Sequence, residues 1–148
     1  MSGANLSGPG ATGHDLPGTD PHPDTVSNRD PIAVVRRLAE CWKHGDADGA
    51  AALFAPDAIY EEPPVYALAG RDAIHALFAD FAARHHDVEF VVVRALAQDG
   101  GGLAAAEWRF GHTRTADGER KVYAGLAWVE LDAAGQVARW RGFSARVA

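Results

Sequence analysis

The sequence has few of the features that mark several large protein classes. Cys41 is the only cysteine among 148 residues, so an internal disulfide is impossible and a reducing compartment is expected. No run of residues is long and apolar enough to span a bilayer. The net charge is −6 and no basic stripe is present, which argues against nucleic acid or an anionic membrane as the main partner. We therefore expect a cytoplasmic protein with no nucleic-acid or membrane partner.

Motifs for metals and nucleotides are missing as well. His85 and His86 are adjacent rather than one helical turn apart, which makes them a poor metal-binding pair, and no Cys/His cluster has zinc-site spacing. No phosphate-binding loop is present. We expect neither a metal ion nor a cofactor.

The first 28 residues differ in composition from the rest of the chain. They are rich in Gly, Pro, Ser, Thr and Asp, and contain no Lys or Arg. Such a segment cannot bury enough apolar surface to offset the entropy lost on ordering. We expect a disordered tail over residues 1–28 and one folded domain over residues 29–148.

The folded part opens with helix signals. Asp30 and Pro31 suit the N-cap and the first helical position, and apolar residues then recur at helical spacing until Gly45. Asp46 is expected to cap a short second helix that runs through Phe54 and stops at Pro56. A loop is expected over residues 63–70, and a third helix over residues 71–85.

The remaining segments have the alternation and the β-branched residues of strands. Strands are predicted over residues 58–62, 88–97, 103–114, 122–131 and 137–145, with glycine-containing turns between the last four. This order predicts an α+β domain in which three N-terminal helices wrap a curved antiparallel sheet around a cavity.

Four segments in this order resemble one known family. They are HGDADGAAALFAPDAIYEEPP, AGRDAIHALFADF, AAAEWRFGHT and AWVELDAAGQVARWRGF. Together they are similar to the SnoaL-like branch of the nuclear-transport-factor-2-like superfamily. The resemblance implies a cone-shaped α+β barrel, often dimeric, with an apolar cavity. That superfamily holds ketosteroid isomerases, epoxide hydrolases, polyketide cyclases, dehydratases and non-catalytic binding domains, so the resemblance leaves the reaction open.

Strand alternation predicts which side chains enter the cavity. In residues 103–114, Glu107 and Arg109 should face water, which sends Trp108, Phe110 and His112 inward. The same reasoning gives an aromatic lining made of Tyr60, Trp108, Phe110, Tyr123 and Trp140, to which the apolar stripe of the first helix adds Trp42. An aromatic cup with few polar groups suits a small, flat, apolar or aromatic molecule.

Glu62 is the strongest catalytic candidate. It shares a strand face with Tyr60, whereas Glu61 should face solvent or a surface arginine. Burial near aromatic rings would raise the pKa of Glu62 and suit it to remove a proton beside a carbonyl. A structural role is the alternative, in which Glu62 caps a loop or pairs with Arg71.

The resemblance gives Glu62 an incomplete set of helper residues. Glu62 matches the carboxylate base of the ketosteroid isomerase branch, but Leu38 and Ala127 stand where that branch has its oxyanion-binding tyrosine and aspartic acid. Gly142, Trp108 and Phe110 stand where the epoxide hydrolases have acid–base residues. The segment Gly111–His112–Thr113 is similar to a motif of cyclase-type members, which implies that His112 assists Glu62. The alternative, which the residues favour, is a histidine at a strand end near solvent.

Two functions follow. The chain is either an isomerase, cyclase or dehydratase with Glu62, Tyr60 and His112 as catalytic candidates, or a non-catalytic ligand-binding or protein-interaction domain. Trp128 is predicted on the outer face of the sheet, where a large aromatic residue favours a homodimer interface.

Overall fold

The computed structural model describes residues 30–148, and the predicted tail over residues 1–28 lies outside this range. The helices are α1 (Pro31–His44), α2 (Ala47–Ala52) and α3 (Arg71–Arg84). The strands are β1 (Phe54–Glu62), β2 (Tyr66–Ala69), β3 (His85–Ala97), β4 (Leu103–Arg114), β5 (Arg120–Leu131) and β6 (Val137–Arg146). The predicted α+β cone is confirmed: the helices pack on one curved sheet that does not close into a barrel.

The sheet is mixed rather than wholly antiparallel. Its strand order is β2-β1-β6-β5-β4-β3, and β1 pairs with β6 in the parallel direction. The other four neighbouring pairs are antiparallel. Hairpin turns join the last four strands and therefore require antiparallel pairing between them. No hairpin joins β1 to β6, so the turns in the sequence do not predict the relative direction of these two strands.

The ends of α1 form as the sequence predicts. The Asp30 side chain accepts hydrogen bonds from the backbone N–H groups of Ile32 at 3.0 Å and Ala33 at 3.3 Å. Gly45 ends the helix with φ at 65°, a conformation that glycine adopts without steric cost.

The boundary between α2 and β1 differs from the prediction. The helix stops at Ala52, and Phe54 to Pro56 belong to β1 instead of the helix. The pairing of β1 with β6 shifts register between Phe54 and Ile59. Pro56 lies in this irregular stretch, where its missing N–H breaks no regular ladder.

The segment after Pro63 and Pro64 is also more regular than predicted. Residues 66–69 form the edge strand β2, which pairs back onto β1 with Tyr66 opposite Glu62. A four-residue strand beside two prolines lacks the alternating run by which strands are recognised. The pairing brings the Tyr66 side chain to the end of β1.

The inner face of the sheet changes character along its strands. On β4, Ala104 and Ala106 are buried in the core, whereas the next inward residues, Trp108, Phe110 and His112, line a cavity. The largest fully buried side chains are Phe54, Leu38, Ile74, Val35, Val129 and Val137. The small residues therefore let the helices pack closely on one part of the sheet, and the large rings hold them apart on another. None of the helices in residues 30–148 is long and apolar enough to cross a membrane.

Candidate functional site

A cavity of about 340 Å³ lies between the helices and the inner face of the sheet. Its lining consists of Trp42, Tyr60, Glu62, Tyr66, Leu77, Phe81, His85, Phe90, Trp108, Phe110, His112, Tyr123, Trp140 and Ser144. All eight site residues predicted from the sequence are in this set. The volume lies near the lower end of the range for small-molecule sites.

The two neighbouring carboxylates of β1 face opposite sides of the sheet. Glu62 points into the cavity, whereas the Glu61 carboxylate lies 3.8 Å from Arg139 Nε and 3.5 Å from Arg141 Nε on the outside. Arg71, the alternative partner for Glu62, instead donates to the Phe54 carbonyl from Nε at 2.8 Å and Nη2 at 2.6 Å. Among residues 30–148, Glu62 therefore lacks the ion pair with Arg71 that was its alternative role.

The surroundings of Glu62 favour its protonated form. Burial raises the pKa of Glu62 above the ordinary value, and hydrogen bonding to Tyr66 opposes part of this rise. Burial also raises the pKa of Tyr60 and of Tyr66, and the negative charge of Glu62 adds to both shifts. Both phenols therefore stay neutral beside the carboxyl group and can donate hydrogen bonds.

Tyr60 lies in the middle of a stack of three rings. Its ring is parallel to that of Tyr66 with centroids 6.1 Å apart, and to that of Trp140 with centroids 6.0 Å apart. The alternation of side chains along β1 was enough to predict that Tyr60 and Glu62 face the same side. The short strand β2 brings Tyr66 to this group, and the parallel pairing with β6 brings Trp140.

His112 lies in a second group of rings in the same cavity. Its ring centroid is 5.1 Å from Phe81, 4.6 Å from His85 and 5.9 Å from the parallel ring of Tyr123. Burial, followed by the nearby His85, Lys121 and Arg120, lowers the pKa of His112 to about 4. The imidazole is therefore neutral at pH 7. In residues 30–148, no recorded hydrogen bond or ring contact joins His112 to Glu62, so the two line one cavity with separate neighbours.

The remaining predicted lining residues form the wall between these groups. Trp42 from α1 meets Phe110 edge to face with centroids 5.4 Å apart. Phe90 packs beside Trp108 with centroids 5.7 Å apart. The wall is thus built from both the sheet and the first helix, as the apolar stripe of α1 and the alternation of β4 predicted.

Six cavity residues were not among the predicted site residues. These are Tyr66, Leu77, Phe81, His85, Phe90 and Ser144. Leu77 and Phe81 lie four residues apart on α3, a helical spacing that was a usable signal for the cavity. Phe90 and His85 lie on β3, whose register against β4 shifts twice, so that simple alternation does not give the direction of its side chains.

The site offers little to a metal ion. Over residues 30–148, no group of three or more His, Cys, Asp and Glu side chains converges at a distance suited to metal binding. What the cavity does offer is one carboxyl group, several neutral hydrogen-bond donors and a large aromatic surface.

Comparison with known proteins places the fold in a family. The model of the SnoaL-like domain matches residues 35–140. No curated protein gives a significant match to the chain.

Three solved structures illustrate the likeness. A proposed isomerase from Bacillus subtilis is 15% identical, with a TM-score of 0.71, over 82% of this chain and 88% of that one. An LEH-like epoxide hydrolase from M. tuberculosis is 18% identical, with a TM-score of 0.68, over 78% and 82%. A proposed polyketide cyclase from Xanthomonas campestris pv. campestris is 20% identical, with a TM-score of 0.69, over 79% and 92%.

At these identities the three structures share the fold with this chain, and their different names leave its reaction open. The family model covers well over half of the chain and the same elements that build the cavity. The chain belongs to the SnoaL-like domain family.

Proposed function

We propose that the protein is a small-molecule enzyme of the isomerase, cyclase or dehydratase type. Glu62 removes a proton from the carbon next to the carbonyl group of a flat, largely apolar substrate. The cavity binds the substrate between aromatic rings, and Tyr60 and His112 assist as neutral polar groups in contact with it.

The observation that carries this proposal is the position of Glu62. It is the one carboxylate in the lining of the cavity, it has no cationic partner among the described residues, and its neighbours are Tyr60, Tyr66 and Trp140. A general base works best when its pKa lies near the working pH, and burial moves the pKa of Glu62 in that direction.

The other polar residues are proposed as helpers with separate tasks. Tyr60 is a neutral phenol beside the base and can hold a proton or donate a hydrogen bond there. His112 is a neutral imidazole among Phe81, His85 and Tyr123, where it can contact the far end of a bound ligand.

A domain that binds such a ligand without converting it is the second candidate. It is favoured by the residues at two positions where related isomerases hold acidic donors, since Leu38 and Ala127 are buried apolar residues here. Electrostatic stabilisation of a developing oxyanion is usually the largest contribution to such reactions, so its absence would leave binding alone.

Proton exchange tests the proposal without knowledge of the natural substrate. 2-Tetralone, a flat aromatic ketone, loses its α-hydrogens to D₂O, and NMR measures the rate. We expect the protein to accelerate this exchange and Glu62→Gln to reduce the acceleration by about 10²–10⁴-fold, since that is the usual contribution of a general base.

Glu61→Gln is the matched control, because Glu61 is the neighbouring carboxylate on the outer face. It should leave the exchange rate unchanged. Equal rates for the wild type and Glu62→Gln would contradict the role of Glu62. Binding of the ketone without any acceleration would favour the non-catalytic candidate.

We also propose that two copies of the chain associate through the outer face of the sheet. The outer-face patch consists of Val91, Val93, Leu126, Trp128 and Phe143, each about half exposed. Charges of both signs border it, including the pair formed by Arg94 and Glu107 at 2.6 Å. A two-fold axis would bring identical patches together. Positive residues at the border of one patch can then pair with negative residues at the border of the other.

A further inference from the structure

His85 lines a part of the cavity that is separate from Glu62. Glu62 lies on β1 and His85 on β3, with β6, β5 and β4 between these two strands in the sheet. Among residues 30–148, no recorded ring contact joins His85 to the rings around Glu62, which are Tyr60, Tyr66 and Trp140. A ligand that places its reacting carbon beside Glu62 therefore turns its opposite end towards His85.

The backbone carbonyl of Phe81 fixes which nitrogen of the His85 ring carries the proton. Nδ1 of His85 lies 3.0 Å from this carbonyl oxygen. A carbonyl oxygen only accepts hydrogen bonds, so Nδ1 must donate and must hold the proton. The ring also stacks on that of Phe81, with centroids 4.2 Å apart and planes 14° apart. In the neutral ring, Nε2 is therefore an unprotonated acceptor held in one orientation.

Nε2 of His85 has no recorded hydrogen-bond partner within residues 30–148. The fully enclosed side-chain nitrogens without a partner in this range are Trp108 Nε1, Trp140 Nε1 and His112 Nδ1. Because His85 Nε2 is not among them, it retains accessible surface on a side chain that lines the cavity. Capping the end of α3 accounts for Nδ1 alone, so Nε2 is open to a ligand.

The neighbouring ring of His112 offers the opposite kind of group. Its centroid is 4.6 Å from that of His85. Within the described part of the chain, its Nδ1 is fully enclosed without a partner, whereas its Nε2 is not. A pKa lowered to about 4, mainly by burial, keeps the ring neutral at pH 7, so only one nitrogen carries a proton. A buried N–H without an acceptor is rarer than a buried acceptor without a donor, which places the proton on Nε2.

An acceptor beside a donor suits a hydroxyl group, which can donate to one ring and accept from the other. An anionic group fits this end of the cavity less well. Lys121, directly opposite His112 on β5, already pairs with Glu119 at 3.7 Å, and an anionic ligand would compete with that carboxylate. An ionised carboxylate also has no proton to donate to His85 Nε2.

We propose that Nε2 of His85 binds a hydroxyl group at the end of the ligand opposite the carbonyl group, and that His112 donates to the same oxygen. His85 thereby selects flat ketones that carry a hydroxyl group over those that lack one. This inference rests on the proposed function for the class of ligand, but it does not require that Glu62 be catalytic.

Three naphthyl ketones test this selection. 6-Hydroxy-2-acetylnaphthalene carries the hydroxyl group at the end opposite the ketone, 2-acetylnaphthalene lacks it, and 6-methoxy-2-acetylnaphthalene has an oxygen that cannot donate. Titration calorimetry at about pH 7.5, where imidazoles of ordinary pKa are mostly neutral, measures the three affinities. The full-length chain should bind the hydroxy ketone about fivefold more tightly than either of the others, since that is the typical worth of one hydrogen bond.

His85→Phe removes the acceptor and keeps an aromatic ring against Phe81. It should bind the hydroxy ketone about fivefold more weakly than the wild type does, and 2-acetylnaphthalene about equally. A purely structural role for His85 would instead weaken the binding of both ketones to the same extent. His86→Phe is the matched control and should change neither affinity, because His86 is exposed and its Nδ1 lies 3.0 Å from Thr115 Oγ1. Equal effects of His85→Phe on the two ketones, or no binding of either by the wild type, would overturn the inference.

The position of the proton on His85 can be observed directly. Long-range ¹H–¹⁵N correlation spectra distinguish protonated from unprotonated imidazole nitrogens, and His85→Phe identifies the His85 signals among those of the seven histidines. The free protein should carry this proton on Nδ1, and the hydroxy ketone should move the Nε2 signal upfield. 2-Acetylnaphthalene should leave that signal in place. A proton on Nε2 in the free protein, or an Nε2 signal that does not respond to the hydroxy ketone, would contradict the inference.

The outcome is separable from the role proposed for Glu62. Glu62→Gln should keep the preference for the hydroxy ketone even though it loses proton exchange. If His85 governs the preference and the wild type shows no exchange, the hydroxyl site is supported and the catalytic proposal fails. If exchange depends on Glu62 but the hydroxyl group gives no gain in affinity, the hydroxyl site fails and the catalytic proposal stands.

Discussion

At the scale of single residues, two adjacent glutamates receive opposite environments from strand geometry alone. Successive side chains on β1 point to opposite faces, so Glu61 meets Arg139 and Arg141 outside while Glu62 meets aromatic rings inside. The sequence was enough to predict this difference, because the apolar residues near the two glutamates show which side chains of β1 face inward. Its electrostatic consequence, a raised pKa for Glu62, needed the cavity that the rest of the fold supplies.

The lowered pKa of His112 predicts how the stability of the folded protein depends on pH. Its pKa is about 4 in the folded protein and about 6.5 when exposed. Between these values the unfolded chain binds the proton and the folded chain does not, so acid favours unfolding. This contribution is fully present above pH 6.5 and is lost progressively as the pH falls towards 4.

Melting temperatures at pH 7 and pH 4.5 test this behaviour. We expect the melting temperature of His112→Gln to fall less on acidification than that of the wild type. Each kcal/mol of lost stability lowers the melting temperature by about 2–4 °C. His44→Gln, an exposed change on α1, is the control and should follow the wild type. The same acid loss in wild type and His112→Gln would show that other groups govern it.

At the scale of elements, the alternation of side chains predicted which residues face inward on strands with a regular pairing register. It failed on the strand whose register shifts. On β4 and β5 it placed Trp108, Phe110 and Tyr123 correctly, because their pairing runs without a break from Leu103 to Thr113. On β3 the register shifts on both sides of Phe90, between His86 and Glu89 and between Val92 and Arg94, and each shift changes which residues face inward. Phe90 therefore gave no clear signal of its place in the cavity.

Short or irregular elements were the other source of error. Tyr66 lies on a four-residue edge strand, and its role beside Glu62 depends on pairing with β1 rather than on any local pattern. The parallel contact of β1 with β6 likewise depends on how the whole chain closes the sheet, and it is this contact that sets Trp140 against Tyr60.

Gly125 on β5 should be intolerant of a side chain. A Cβ there would lie 2.6 Å from the Phe143 carbonyl oxygen and 2.7 Å from Trp108 Cε2, so Trp108 or the β5–β6 pairing must move. We expect Gly125→Ala to lower the free energy of unfolding by about 1–3 kcal/mol, as overpacking commonly does. Chemical denaturation measures the loss.

Ala124→Ser is the neighbouring control on the opposite face of β5, and it should stay within about 0.5 kcal/mol of the wild type. A Gly125→Ala variant as stable as this control would mean that the Trp108 ring does not require the space over Gly125.

At the scale of the whole molecule, the sheet separates two surfaces of different character. Its inner face carries the cavity, and its outer face carries the outer-face patch. The sequence indicated both, because Trp108 and Trp128 fall on opposite faces of strands whose charged residues mark the outside. The volume of the cavity and the stack of rings around Tyr60 required the three-dimensional structure.

The proposed dimer predicts a change of mass with one substitution. Trp128 is 45% exposed in the outer-face patch, and a carboxylate there would face its own copy across the two-fold axis. Sedimentation velocity should give a dimer for the wild type and a monomer for Trp128→Glu. Val65→Glu, an exposed apolar site in the turn between β1 and β2, should remain dimeric. A wild-type monomer at micromolar concentration would contradict the proposed interface.

The central claim is that Glu62 is a base acting inside an apolar cavity. The most direct measurement is the pH dependence of 2-tetralone deuterium exchange in the wild type and in Glu62→Gln. Because a base acts when ionised, the wild-type rate should rise with pH and reach half its maximum above pH 4.5, in the direction in which burial moves the pKa of Glu62. The rise should be absent in Glu62→Gln. An enzyme-dependent rate that rises in the same way in both proteins would contradict the claim.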